Sequence, residues 1–236
     1  MSGLSLPRPS AAGAPRSSQI RHSSVSGRLA NAMTLPACVG ILVPVALVAA
    51  AALVGGLLDH DLDHVALVAP DMVLIALAAA LVLGLWVHRR LCSAVLAGTN
   101  RRTGLRAAAL LTLRVLILCL VVWALGRSID HLRPWHAPVT ASDLLLEAVQ
   151  VLVAGTGLLW TGILLGTASE RWGWLRTALV AFVVWAFVDA LIPDDGPWLV
   201  LRPWLEGDAF PLRGLALTIL AVTLAVRELR LWEPAD

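Results

Sequence analysis

Lysine and tyrosine are absent from this 236-residue chain, and all 18 of its basic residues are arginine. That usage points to a GC-rich coding bias more than to a function. Charge of either sign is scarce: Asp, Glu, Lys and Arg make up 14% of the residues, against roughly 25% in soluble domains. So little polar surface cannot cover a water-soluble globule, and a 58% hydrophobic composition with a mean hydropathy of +0.81 places the chain in a bilayer. The net charge of only +2 implies no general polyanion-binding field, so nucleic acid is not an expected partner. Cysteine is limited to Cys38, Cys92 and Cys119, without the paired spacing of a disulfide framework or a zinc knuckle. Cys38 and Cys119 fall in apolar stretches, and Cys92 falls in what reads as an Arg-rich loop. A nucleotide loop, a nucleophile beside a base and paired catalytic carboxylates are also missing, so an enzyme is the least supported class and no cofactor is implied.

What the chain does have is long apolar runs. A spanning helix needs about 20 such residues. Six candidates lie near 35–58, 65–87, 107–126, 144–167, 174–193 and 212–226. The expected fold is therefore all-α, a polytopic transmembrane helix bundle of about six spans over residues 33–236. Residues 1–32 hold eight Ser and four Arg and no acid, too little apolar surface to offset the entropy of ordering, and read as a disordered tail. The same composition suits an organellar transit peptide, and Met33, just before the first run, is an alternative start.

Threading the runs with the N-terminus inside puts thirteen Arg on the inner side and leaves Arg127, Arg133, Arg202 and Arg213 outside. Basic residues mark the cytoplasmic side, so both termini are expected inside, in a bacterial inner membrane. Trp residues collect at the ends of the runs, as headgroup anchors do. The environment is lipid, with homo-oligomers or other membrane subunits as the candidate partners.

Ionisable groups inside spans are the first functional candidates. Arg114 lies about 10 Å inside the third run at 1.5 Å per residue, while Asp71, Glu147 and Asp189 sit in the outer parts of theirs. Together they could form a transport path or a structural Arg–carboxylate core. Pro70–Asp71 also reads as a helix start, with proline in the first turn and Asp facing the positive end of the dipole. The stretch DHDLDH, Asp59–His64, falls in the first outer turn. Its His60 and His64, with His131 and His136 from the next outer turn, could hold a divalent metal or sense pH. Equally, polar turns between spans are ordinary, and Asp63 suits a helix cap. Gly155, Gly162 and Gly166 share a stripe of the fourth run and read as a helix-packing face, within one chain or between copies.

The stretch RPWLEGDAFPLRGLALTILAVTLAVRELRLW, Arg202–Trp232, resembles a membrane-entering segment found in relatives of the small-conductance mechanosensitive channel. Those proteins have a similar acidic–Phe–Leu–Gly approach to an apolar helix ending in Arg. The Gly/Ala pore helix and β-rich cytoplasmic domain of such a channel are not seen, so the resemblance implies only its auxiliary N-terminal helices and carries over no functional residue. The leading functional expectation is a non-enzymatic membrane subunit, scaffold or channel-like module. A small transporter using Arg114 is the alternative, and an outer-face metal or pH sensor a further one.

Overall fold

Helix is the only regular structure among the described residues: α1 (Arg16–Asp59), α2 (Ala69–Leu96), α3 (Arg101–Asp130), α4 (Ala141–Trp172), α5 (Trp174–Leu191) and α6 (Phe210–Leu231). The computed structural model describes the backbone of residues 16–59, 69–130, 140–191 and 210–231, and side chains within 25–51, 54, 72–129, 140–181, 183 and 214–231. Four stretches, Val25–Ala51, Met72–Leu96, Arg101–Ile129 and Ala141–Trp172, are long and apolar enough to cross a membrane. The chain is an all-helical membrane protein with at least these four candidate spans.

The helix ends depart from the apolar runs. α1 begins at Arg16, so the Ser/Arg-rich segment expected to lack order is helical from there on. From Ser26 onward, burial accounts for helix that begins ahead of the apolar run. Ser26, Ala30, Met33, Ala37 and Ile41 recur at three- and four-residue spacing and are all buried. They form one narrow packing stripe, and tertiary burial of a stripe outweighs weak local propensity. α1 also keeps Pro36 and Pro44 inside its length. α2 starts at Ala69, which puts Pro70 and Asp71 in its first turn. It then runs past the apolar stretch to Leu96, so Cys92 lies on a helix and is buried rather than in a loop.

Local chemistry explains the turns. Gly98, at φ 89°, closes α2, where its N–H donates to the Val95 carbonyl (2.9 Å). The Asn100 side chain then accepts from the Arg102 N–H (3.0 Å) and starts α3. Thr140 and Asp143 form a reciprocal capping box at the start of α4. Gly173, at φ 80°, ends α4 and lets α5 begin one residue later.

The centre of the bundle is the seam between α2 and α4, which run parallel. A Cβ placed on Gly84 would lie 2.1 Å from the Leu159 carbonyl oxygen, and one on Gly162 would lie 2.1 Å from that of Leu81. Only hydrogen at both positions lets the two backbones touch. α3 lies antiparallel to α4, with Cys119 near Gly155 and Arg127 near Glu147. α6 runs beside α4, where Thr218 Oγ1 donates to the Val153 carbonyl (3.0 Å) and Arg171 pairs with Glu228 (3.0 Å). α1 packs on α2 and α3, whereas the neighbour of α5 is α4.

Candidate functional site

Two polar groupings are described within the apolar bundle, near opposite ends of α4. The first gathers at Glu147, two turns into the helix. Arg127 reaches it from the end of α3, with Nε donating to Oε2 at 2.7 Å and Nη2 to Oε1. Trp123 Nε1 donates to the same Oε2 at 3.3 Å. One carboxylate is thus held by a two-pronged guanidinium and an indole, the geometry in which a charge pair is strongest and most directional.

Glu147 therefore does not meet Arg114. The two helices are antiparallel, so the start of α4 faces the end of α3. Arg114 lies thirteen residues back along α3, about 20 Å at 1.5 Å per residue. Arg114 instead donates to Thr34 Oγ1 of α1 (2.5 Å), and that hydroxyl donates on to the Ala30 carbonyl (2.7 Å). Asp71 and Asp189 lie on α2 and α5, but their side chains fall outside the described residues. The four outer-turn histidines, His60, His64, His131 and His136, fall outside them too.

The glycine stripe finds its partners within the chain. Gly162 meets Gly84 and Leu81 of α2, and Gly166 lies under the ring of His88. Gly155 faces Leu116 and Cys119 of α3 and Leu77 of α2.

The second grouping lies along the same seam, and the sequence reading missed it. His88 and Cys92 are one turn apart on α2, and both are buried, at 1% and 6% exposure. Glu170 comes from the last turn of α4. His88 Nε2 lies 3.2 Å from Glu170 Oε2, Cys92 Sγ lies 3.3 Å from His88 Nε2, and Cys92 Sγ lies 3.6 Å from Glu170 Oε2. Gly166 makes this possible. A Cβ there would sit 2.7 Å from both Cβ and Cγ of His88, so a larger residue would push the imidazole out of the seam. The three donor atoms are close enough together to hold one metal ion. The sequence signal was the i, i+4 spacing of His88 and Cys92, which shares a helix face only once α2 extends beyond its apolar run.

The Arg-rich segments meet at this same end. Arg101 Nη1 donates to the Arg230 carbonyl (3.0 Å), and a surface cleft is lined by Asn100, Arg101, Arg102, Arg106 and Arg230. The Arg90 guanidinium sits over the Trp86 ring, 5.2 Å from its centroid. Comparison with protein-family models, with curated proteins and with solved structures finds no match to this chain.

Proposed function

We propose that this protein is a non-enzymatic membrane module, a subunit or scaffold whose bundle is a fixed structural unit, with its Arg-rich end on the cytoplasmic side of a bacterial inner membrane. The observation that carries this reading is the Arg127–Glu147–Trp123 cluster. A carboxylate on a path for ions must exchange partners, whereas Glu147 has both oxygens engaged by groups from one neighbouring helix. Backbone contact along α2 and α4 adds rigidity where a transporter needs two packings of similar energy. The likeness of Arg202–Trp232 to auxiliary channel helices is in keeping with a supporting role beside other copies or other subunits. Liposomes containing the purified chain are expected to leak protons and small ions no faster than empty ones, and a coupled flux that requires Glu147 would overturn the reading.

A small transporter is the second reading, and Arg114 favours it. Its described hydrogen bond goes to a hydroxyl rather than a carboxylate, which leaves a full positive charge in an apolar span. Under this reading Arg114→Leu abolishes an ion-dependent flux while the protein still folds. Lost expression without any change in flux supports the structural reading instead.

A further inference from the structure

We propose that His88, Cys92 and Glu170 form a three-ligand site for Zn²⁺ at the Arg-rich end of the α2–α4 seam. The inference is independent of the scaffold reading. Its first support is the triangular arrangement. In a hydrogen-bonded relay of thiol, imidazole and carboxylate, the thiol and the carboxylate engage opposite ring nitrogens. Here both approach His88 Nε2, with the sulfur also 3.8 Å from Nδ1, and they also approach each other. Three donor atoms this close together can share one central metal ion.

The distances agree with that centre. Zinc bond lengths of about 2.3 Å to sulfur and about 2.0–2.2 Å to nitrogen and oxygen, set at tetrahedral angles, separate the donors by about 3.6 Å for S···N, 3.6 Å for S···O and 3.4 Å for N···O. The corresponding separations are 3.3, 3.6 and 3.2 Å. A thiolate, an imidazole and a carboxylate are a borderline donor set that suits zinc and excludes Mg²⁺ and Ca²⁺, which require oxygen ligands.

Electrostatics points the same way. Glu170 is an anion in the last turn of α4, where the helix dipole is already negative, and α2 ends beside it. Its neighbour Arg171 is committed to Glu228. A divalent cation would add positive charge there beside the Arg89 charge that already acts on His88, and its binding transfers the Cys92 thiol proton to solvent as the Zn–S bond forms. Access is available, because the Glu170 side chain is 39% exposed. Water is the ordinary fourth ligand where a protein supplies three.

The test uses the full chain, purified in detergent and stripped with a chelator, then titrated with Co²⁺ and back-titrated with Zn²⁺. The expected result is one metal per chain, with thiolate-to-cobalt charge transfer and the intense visible bands of four-coordinate cobalt, both erased by Zn²⁺. Cys92→Ser should remove the charge-transfer band, while Cys38→Ser and Cys119→Ser should retain it. Glu170 is partly exposed, so Glu170→Gln should fold normally and keep the thiolate band. It should weaken Zn²⁺ binding by more than the roughly 10–100-fold that loss of an outer-shell partner costs. Substoichiometric binding by the folded wild type, or an unchanged affinity in folded Glu170→Gln, would show that the three side chains form only a hydrogen-bonded cluster.

Discussion

α4 and α5 are consecutive helices separated by one glycine, yet they belong to different physical regimes. Between Val151 and Thr167, α4 has eleven buried residues, four of them glycine, and touches α2, α3, α5 and α6. In α5, Leu175, Leu179, Val180 and Val183 are all largely exposed, and Thr177 is buried at its start. α4 is held by close backbone approach and directed polar bonds. The described face of α5 offers aliphatic side chains to whatever surrounds it. Apolar character alone is therefore a poor guide to burial in this chain. In a lipid environment, small size and hydrogen bonding mark the core, because lipid tails are as apolar as leucine.

The contrast can be broken most severely at Gly162. Gly162→Ala places a methyl group 2.1 Å from the Leu81 carbonyl and 2.9 Å from Gly84 Cα, both backbone atoms that cannot rotate away. The loss should be at or above the upper end of the roughly 1–3 kcal/mol typical of overpacking, read as a lower midpoint for unfolding in detergent. Next is Glu147→Ala, which removes the acceptor shared by Arg127 and Trp123. With both charged side chains 28% exposed, a cost on the order of 1–2 kcal/mol is expected after allowing for screening. A double-mutant cycle with Arg127→Leu should return most of it as coupling energy. Thr218→Val loses one bond between α6 and α4 and should cost about 0.6 kcal/mol, the average for such bonds in membranes. Smallest is Leu179→Ala on α5, where the side chain is 64% exposed. Its effect should stay within about 0.5 kcal/mol by the same unfolding assay. A larger loss there would mean that α5 is packed against a partner and that the contrast with α4 holds only for the isolated chain.

The six helices among the described residues fall where six apolar runs were read, because an apolar run is a property of one segment. Four of them are long and apolar enough to cross a membrane. The helix ends were not legible. Outside the hydrocarbon a helix needs no apolar residues, so α2 continues through Arg89 and Arg90 to Leu96, and α1 begins back at Arg16. Pairings across helices were legible only in part. The stripe of Gly155, Gly162 and Gly166 showed in the sequence, but Gly84, which receives it, stood alone in its own run. Glu147 was singled out, yet its partner follows from the antiparallel order of α3 and α4 and not from any local pattern. The same holds for the second grouping, where Glu170 lies 78 residues from Cys92. Sequence composition does not record which face of α4 a residue occupies until the packing of α2 defines that face.

The Gly84–Gly162 contact also acts mechanically. Close backbone approach here and the seating of His88 against Gly166 hold the two parallel helices at one angle, and each arm beyond the contact is a lever. Cys92 lies eight residues from Gly84, and Glu170 eight from Gly162, so both arms are about 12 Å long. Each degree of tilt moves the far end by about 0.2 Å at that length. The spacing of the sulfur and the carboxylate therefore depends on how firmly that contact fixes the angle, since a rotation of about five degrees would change it by about an ångström.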